Sequence, residues 1–596
     1  MPQPLQGSSA FWNAVQTNIA LQHHAPPIPR APRNENLPLS FAQERLWLVE
    51  QAHPGSVAHN LRAVFHLQGA LEIPLLEQSL REIARRHEIL RTTFPAVAGQ
   101  PIQRIAPDAV FALPVSELTG LPPAQREAEI RRRASEEAQQ PFDLAQGPLL
   151  RFKLLRLAAD EHILLRTTHH LINDRWSDSL FMRELGLLYA AFVTGRPAAL
   201  PELPIQYADF AHFQRQWLQG DILETQLRYW QSVFSGKLPL LALPFDHAAP
   251  SMPSYQGAAQ YLTLPKYLTE ALNALSRQQE MSLFVILFAA FNLLLYQYSG
   301  QEDLIVCAPV SGRHRVETKK LIGYFSNLLP IRISLEQNPS FLELLARVSQ
   351  VSLQVFEHQE MPLQLLAEAL HLPGPVLSQV MFALQNVPSR PLEFAGISVT
   401  PLDIEEGIAN FDLSLSIKTQ ADGLAAVLRY KTEMFQETTM TQFLARFQEL
   451  LESLMIDPKQ RVSDLARFPQ KTPPQMASGA ETAYVAPQTE LEQKIALVWQ
   501  DILQLEQIGI HANFFEIGGR SLAMVRVGQK LQTLLTRDVP IAALFERPTI
   551  SGMAQYLSQP RPAEMLPARS VTERANRQKE ALNRQKHLLQ QRKPRS

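Results

Sequence analysis

Two adjacent histidines stand between a strand-like and a helix-like segment, and this junction limits the possible folds of the chain more than any other stretch. Residues 161–167 form a short, mostly apolar run that predicts a strand, and residues 180–189 carry apolar side chains at helical spacing. His169 and His170 therefore belong to a loop that leads from a strand into a helix. Because α/β proteins commonly place reactive side chains on such loops, the junction predicts an α/β fold with a candidate site at this point.

The histidine pair is a candidate for acid–base or hydrogen-bonding chemistry. Neighbouring side chains at a strand end point to opposite faces, so one histidine can face a cavity while the other faces the core. An imidazole can take a proton from an amine or hydroxyl nucleophile, or hold that nucleophile by a hydrogen bond. Asp174 is a candidate for orienting the loop or the ring. The alternative is a purely structural pair. No metal site is expected, because no nearby side chains complete a zinc ligand set.

The string from His169 to Asp174 resembles the HHxxxDG motif of nonribosomal peptide synthetase condensation domains, with Arg175 where that family usually has Gly. Six further strings resemble other parts of the same family in the expected order. They are residues 39–47, 86–94, 206–211, 322–332, 357–362 and 411–416. Together these seven strings are a specific signature that covers about residues 37–465.

The resemblance implies an α/β fold of two chloramphenicol-acetyltransferase-like αβα sandwich lobes arranged in a V. A tunnel would run between the lobes, with the histidine loop near its middle. The boundary between the lobes is expected near residues 195–225, where Pro201 and Pro204 interrupt regular structure.

A second module is predicted over residues 485–558. Residues 491, 495, 498 and 502 are apolar and form one face of a helix. Gly518 and Gly519 permit a tight turn, and Ser521 stands where the next helix begins, which also suits an ordinary N-cap serine. The string around Ser521 resembles the motif of an all-α four-helix carrier bundle, whose serine carries covalent 4′-phosphopantetheine. Arg520 stands where that family often has His or Asp.

Together the two resemblances imply acyl transfer. An upstream carrier protein would present a donor acyl thioester, and the arm on Ser521 would present an aminoacyl acceptor. His170, with His169 and Asp174, forms the candidate catalytic set, in which His170 holds or deprotonates the attacking amine. Arg313 and Ser177 are expected to support the site, Arg313 by pairing with Asp174.

The resemblance also implies partners. A phosphopantetheinyl transferase would modify Ser521. Residues 465–485 leave no room for an adenylation domain between the two modules, so a separate adenylating enzyme is expected to load the carrier in trans. Two alternatives remain open: an ester-forming condensation with a hydroxyl acceptor, and a catalytically silent recruitment scaffold, which Arg175 suggests.

Composition limits the binding partners and the cellular location expected for the chain. A net charge of −1 argues against nucleic-acid binding, and the single cysteine, Cys307, excludes an internal disulfide and fits a reducing cytoplasm. Residues 1–20 do not resemble a signal peptide. The apolar run 283–296 is shorter than the roughly 20 residues of a membrane span, so a buried helix is predicted there. A cytoplasmic location without membrane contact is therefore expected.

Three remaining segments lack the periodicity of a folded core. Residues 1–36 are polar and Pro-rich and predict a flexible leader, and residues 466–484 predict a linker. Residues 559–596 are polar and basic with a helical composition. Two interpretations of this tail remain open: a solvated single helix, or a docking element for a downstream synthetase subunit.

Overall fold

The structure is a computed structural model, and it describes residues 26–558 with internal gaps. Residues 1–25 of the predicted leader, nearly all of the predicted linker and the whole basic tail therefore lie outside the described residues. The gaps are at residues 34–35, 98, 109–110, 248–254, 371, 373, 378, 386–391, 403–406, 421–422, 466–483, 504, 515–516, 518, 520, 536–538, 540–542 and 545–546.

The first lobe begins with a short strand and ends with the helix that precedes the second lobe. Its elements are β1 (Leu37–Pro38), α1 (Phe41–Ala52), β2 (Asn60–Gln68), α2 (Ile73–Arg86), β3 (Thr92–Thr93), β4 (Ala96–Val97), β5 (Gln100–Ile105), β6 (Val115–Glu117), α3 (Pro123–Ala138), β7 (Leu150–Ala158), β8 (Glu161–His169), α4 (Arg175–Thr194) and α5 (Tyr207–Trp217).

The second lobe follows directly, and a helical region follows it. Their elements are α6 (Gly220–Val233), β9 (Gly257–Thr263), α7 (Lys266–Gln278), α8 (Leu283–Ser299), β10 (Asp303–Val310), β11 (Asn327–Ser334), α9 (Phe341–Glu357), α10 (Leu363–Ala369), β12 (Val380–Gln385), β13 (Leu392–Phe394), β14 (Ile397–Pro401), β15 (Leu413–Gln420), β16 (Gly423–Lys431), α11 (Glu437–Ile456), α12 (Glu490–Leu503), α13 (Ser521–Leu535) and α14 (Ile550–Ser558).

The first lobe is built on a six-stranded sheet in the order β13-β14-β2-β8-β7-β6. Helices α2 and α4 pack with one face of this sheet, and α3 packs with the other. On β8, Leu164 belongs to the first of these cores, and Ile163 and Leu165 belong to the second. Since both faces of β8 are covered, its sequence is a continuous apolar run rather than an alternating one.

The second lobe has its own six-stranded sheet, in the order β11-β10-β12-β15-β16-β9. Alternate residues of β15, namely Leu413, Leu415 and Ile417, are fully buried in a core that includes helices α7, α8, α9 and α11. Residues 283–297 of α8 are all buried, as the apolar run predicts. The one amide in the middle of this helix, Asn292, donates to the Phe288 carbonyl oxygen at 2.8 Å.

Two segments of the second half of the chain cross into the first lobe. Strands β13 and β14 complete the first sheet, where β14 pairs antiparallel with β2. Residues 321–325 contribute Leu321, Ile322, Tyr324 and Phe325 to the core of the first lobe. The two lobes are therefore joined by shared structure as well as by the chain between α5 and α6.

The end of the predicted leader is packed against the first lobe. Ile28 is only 5% exposed in the core, and the Ala31 backbone N–H donates to Asp209 Oδ1 at 2.8 Å. Arg33 pairs with Glu88 and Asp209. Residues 26–33 thus differ from the flexible leader that the sequence predicts. The overall composition of the segment is polar and Pro-rich, so it does not reveal that Ile28 is buried and that Arg33 forms ion pairs.

No single helix within the described residues is long and apolar enough to cross a membrane. Helices α7 and α8 reach the required length and composition only as a pair, and they meet at a bend of 112°.

Helices α12, α13 and α14 share a separate apolar core. Trp499 and Phe514 lie at its centre, and neither is measurably exposed. Their rings meet edge to face with centroids 4.6 Å apart.

Candidate active site

The histidine loop is held at both of its ends. Strand β8 ends at His169, and residues 170–172 form one turn of 3₁₀ helix. Asp174 then caps α4, where its side chain accepts a hydrogen bond from the Ser177 backbone N–H at 2.8 Å. The loop is therefore short and fixed by the ladder of the sheet on one side and by a helix cap on the other.

The geometry of His170 leaves one basic nitrogen available. Its Nδ1 lies 2.7 Å from the Asn173 carbonyl oxygen. Because a carbonyl oxygen only accepts, Nδ1 must carry the ring proton, and Nε2 of the neutral ring keeps its lone pair. His170 is half-buried, and its ring lies against that of Tyr324, with centroids 4.4 Å apart.

Burial, reinforced by the nearby His59, lowers the pKa of His170 to about 4. Proton binding at Nε2 would therefore begin only well below neutral pH. We expect the ring to stay neutral as the pH falls from about 8 to about 5, and to take up a proton only below that. A titration of the His170 ring nitrogens by ¹⁵N NMR across this range tests the point, and a midpoint near the ordinary histidine pKa of 6.5 would contradict it.

His169 has the opposite tautomer and faces the core. Its Nδ1 accepts a hydrogen bond from the Leu171 backbone N–H at 3.1 Å, so its proton is on Nε2, which lies 3.5 Å from Glu50 Oε1. His59 Nδ1 lies 2.7 Å from the same oxygen. Burial acts to raise the pKa of Glu50, but the neighbouring His169 and His59 lower it to about 2. The His59 carbonyl oxygen in turn accepts the backbone N–H of His170 at 2.9 Å.

Sequence reasoning did not identify Glu50 or His59 as part of the site. Each is a single polar residue distant in the sequence from the histidine loop. The only available signal is that Glu50 follows the apolar run Leu46–Val49 within one helix, and such a position is often buried.

Asp174 is enclosed by donors and supports the loop. It has no measurable exposure, and the Arg313 guanidinium lies 3.2 Å from its Oδ1. Its Oδ2 accepts the Phe325 backbone N–H at 3.0 Å. Its Oδ1 also accepts the Ser177 backbone N–H. This carboxylate therefore binds residues from both halves of the chain.

Ser177 joins the first turn of α4 to the segment before β11. Its hydroxyl donates to the Gly323 carbonyl oxygen at 2.8 Å and accepts the Gly323 backbone N–H at 3.0 Å. It also accepts from Arg313 at 2.6 Å. The structure thus brings together five of the six residues that the sequence singles out, namely His169, His170, Asp174, Ser177 and Arg313.

Gly323 has no space for a side chain. A Cβ built on it would lie 1.9 Å from Tyr207 Cδ2. We expect Gly323→Ala to displace the Tyr207 ring and to lower the free energy of unfolding by about 1–3 kcal/mol, the usual cost of overpacking. Thermal unfolding monitored by circular dichroism would measure this loss.

Gly120→Ala is the matched control, because a Cβ at Gly120 meets nothing within 4 Å. If both variants unfold at the wild-type temperature, the close contact between Gly323 and Tyr207 does not exist in solution.

Arg175 occupies the first position of α4, directly after the cap, and is exposed. The cap at Asp174 and the bond from His170 to Asn173 are both formed with Arg175 in place. Glycine is therefore not needed for this path of the backbone.

A cavity of about 820 Å³, including its open mouth, lies between α1 and the segment before β11. Phe41 and Arg45 of α1 line one side, and Tyr324 and Phe325 line another. Tyr324 is the residue whose ring contacts His170. The cavity therefore reaches the wall of the candidate site.

Ser521 begins α13, on the separate helical region. The preceding turn is tight: the Gly519 backbone N–H donates to the Phe514 carbonyl oxygen at 2.7 Å, and a Cβ on Gly519 would lie 2.2 Å from the Phe514 ring. Free N–H groups in the first turn of a helix favour a phosphate. A serine at this position fits the attachment of phosphopantetheine, and α13 lies beside α1, which lines the cavity.

Two protein-family models match the chain. The model described as "Condensation domain" matches residues 33–476, and the model described as "Phosphopantetheine attachment site" matches residues 493–557. The chain belongs to the condensation domain family, and a phosphopantetheine carrier domain follows. Condensation domains of nonribosomal peptide synthetases are acyltransferase-type enzymes that form amide bonds. The phosphopantetheine cofactor predicted from the sequence is confirmed for this carrier domain.

The curated relatives are large peptide synthetases. Chondramide synthase cmdD of Chondromyces crocatus is 38% identical over 451 residues, which are 74% of this chain and 11% of the relative. Phosphinothricin tripeptide synthetase PhsC of Streptomyces viridochromogenes is 36% identical over 444 residues, which are 73% of this chain and 40% of the relative. The chain thus spans less than half the length of these proteins.

Solved structures confirm the predicted fold class. The X-domain from teicoplanin biosynthesis, solved in complex with OxyB, has a TM-score of 0.67 and 27% identity, covering 75% of this chain and all of that one. The first condensation domain of the calcium-dependent antibiotic synthetase has a TM-score of 0.63 and 21% identity, covering 73% of this chain and all of that one. The chloramphenicol-acetyltransferase-like lobes and the helical carrier agree with the sequence-based expectation.

Proposed function

We propose that this chain forms an amide between a donor acyl or peptidyl thioester and an aminoacyl thioester held on its own Ser521. The observation that carries the proposal is the tautomer of His170. Its Nδ1 is committed to the Asn173 carbonyl oxygen, which leaves Nε2 as an acceptor beside Tyr324. The histidine loop therefore presents a hydrogen-bond acceptor for an incoming amine.

The acceptor amine attacks the carbonyl carbon of the donor thioester. A C–N bond forms, the C–S bond breaks, and the proton lost by nitrogen ends on the leaving thiolate. His170 Nε2 accepts the N–H of the amine and aligns its lone pair on the carbonyl. The pKa of His170, about 4, lies far below that of an α-amino group, about 8, so the ring is suited to orient the amine rather than to remove its proton beforehand.

The position of the carrier region supports delivery of the acceptor to this site. Helix α13 lies beside α1, and α1 and Tyr324 both line the cavity. The phosphopantetheine arm, when attached to Ser521, supplies the thiol that bears the acceptor. Tethering raises the effective concentration of the two substrates and offsets part of the entropy lost on their meeting.

The partners follow from this scheme. An upstream carrier protein supplies the donor, and a phosphopantetheinyl transferase modifies Ser521. The two matched domains are separated only by residues 477–492, so a separate adenylating enzyme loads the acceptor in trans. We further propose that the basic tail, residues 559–596, docks a downstream synthetase subunit, and that residues 466–484 serve as the linker.

The proposed function is tested with a donor-loaded carrier and two acceptors on Ser521, one with a free amine and one with a hydroxyl in its place. Mass spectrometry should show a product with the amine only, and alkali should leave that amide intact. An alkali-labile product from the hydroxyl acceptor alone would make the chain an ester-forming enzyme. No product from either acceptor would favour a silent recruitment scaffold.

Arg175 is the sequence feature that most favours a silent scaffold, and the scaffold hypothesis predicts a specific gain on its removal. We expect Arg175→Gly to change the condensation rate by less than about threefold, because Arg175 is exposed and the loop is already correctly formed. Glycine at this helix start costs about 1 kcal/mol at most. Product formation under single turnover measures the effect. Activity that appears only in the glycine variant would show that Arg175 silences the natural protein.

A further inference from the structure

A second buried arginine, besides Arg313, lies near the histidine loop. Arg166, on β8, is 2% exposed, and its guanidinium lies 5.2 Å from the centre of the Phe181 ring and 5.8 Å from that of Phe65. An unpaired cation in such surroundings would be strongly unfavourable. Among the described residues its ion pair is with Asp178 of α4, through Arg166 Nη2 and Asp178 Oδ1.

The same carboxylate oxygen also holds the loop. The Asn173 side-chain N–H donates to Asp178 Oδ1 at 2.5 Å. Asn173 itself is 3% exposed, so its side-chain amide bonds to Asp178 in place of water. Its main-chain carbonyl oxygen is the group to which His170 Nδ1 donates.

These contacts form one continuous chain of hydrogen bonds. It runs from Arg166 on the strand, through Asp178 on the helix, to the side chain of Asn173, and from the main chain of Asn173 to His170. The chain lies within the first lobe and is separate from the cluster of Asp174, Ser177 and Arg313 that joins the two halves.

We propose that Arg166 and Asp178 are positioning residues that act through Asn173 on the ring of His170. By anchoring the Asn173 side chain they aim its carbonyl oxygen at Nδ1, and this bond selects the tautomer that leaves Nε2 as the acceptor. Neither residue touches the reacting atoms. The inference rests on the proposed role of His170 and adds two residues that the family motif does not include.

The role is distinct from simple support of the fold. Loss of the anchor removes the side-chain bond that orients the Asn173 carbonyl group, so His170 would populate both neutral tautomers and several ring orientations. The reaction would then slow although the substrates still bind, because a misplacement of about 1 Å at a reacting group can cost about 10²-fold in rate.

Three variants of the full chain, loaded on Ser521, test the proposal. Asp178→Ala removes the shared acceptor, and Asn173→Ala removes the anchored amide but leaves the ion pair intact. The double variant Arg166→Met, Asp178→Leu replaces the ion pair, whose arginine is buried, by apolar side chains, a change that proteins often tolerate. Arg183→Met, on the exposed face of the same helix, is the control.

We expect the maximal rate to fall about tenfold or more in all three variants, with the KM for the donor carrier changed by less than about twofold. The ¹⁵N shifts of labelled histidines should show His170 protonated at Nδ1 in the wild type and as a mixture of tautomers in the variants. The His170 signal is identified by its loss in His170→Ala.

A folded double variant with the wild-type rate and a single Nδ1-protonated His170 would overturn the proposal. If that variant and Asp178→Ala fail to fold, Asn173→Ala decides the question in the same way. A wild-type rate in His170→Ala would instead refute the proposed function, which separates the two failures.

Discussion

Condensation by His170→Ala is expected to fall by about 10²-fold or more, the scale of a lost and well-positioned acid–base or hydrogen-bonding group. The reason is that His170 Nε2 is the free acceptor of the loop, with Nδ1 committed to the Asn173 carbonyl oxygen. Product formation from donor- and acceptor-loaded carriers under single turnover would measure the loss.

His169→Ala is the comparison variant for this experiment. His169 lies in the core and shares Glu50 with His59, so its removal leaves the buried carboxylate with fewer donors. We expect a lower unfolding temperature but retained turnover at temperatures where the variant is folded. Wild-type turnover by folded His170→Ala would be incompatible with the proposed role of this histidine.

Replacement of Ser521 by alanine is expected to abolish modification of the carrier region and, with it, all condensation onto the chain's own arm. A serine hydroxyl is inert by itself, and the proposed role of Ser521 is to accept the phosphopantetheinyl group from a transferase that uses coenzyme A. The start of α13 offers backbone N–H groups that favour a phosphate nearby. Mass spectrometry should show one added phosphopantetheine on the wild type and none on Ser521→Ala.

The same protein tests the proposal of loading in trans. With ATP and free amino acids alone, the modified chain should carry no amino acid, and aminoacylation should appear only when an adenylating enzyme is added. Self-loading would mean that the chain itself contains an activating site. Failure of Ser521 to accept the arm would leave the region of α12 to α14 as a helical docking module.

The elements with strong local patterns could be predicted from the sequence. The strand and helix around the histidine loop follow from apolar runs and spacing, and so does the buried helix α8. Ser40 caps α1 with a reciprocal bond to Gln43, as the spacing of these two residues indicates. In each case the information lies within a few residues of chain.

The remaining parts of the site depend on contacts between distant residues. Glu50 and His59 bind the histidine loop from α1 and from the turn before β2, and neither belongs to a periodic pattern that singles it out. The bond between Asp178 and Asn173 is local, but its importance appears only once Arg166 is found buried beside it. Ile28 stands in a polar segment, and nothing in the sequence around it indicates that it packs into the core of the first lobe.

The crossing of β13 and β14 into the first sheet has a consequence for the recombination of such synthetases. A hybrid made by joining the first half of this chain to the second half of a relative would complete the first sheet with two strands of foreign sequence, beside β2. Residues 392–401 would then come from the relative but would have to pair and pack with the first sheet of this chain. Exchanges that take residues 37–217 and residues 392–401 from the same parent should yield more active chimaeras than a single crossover between α5 and α6.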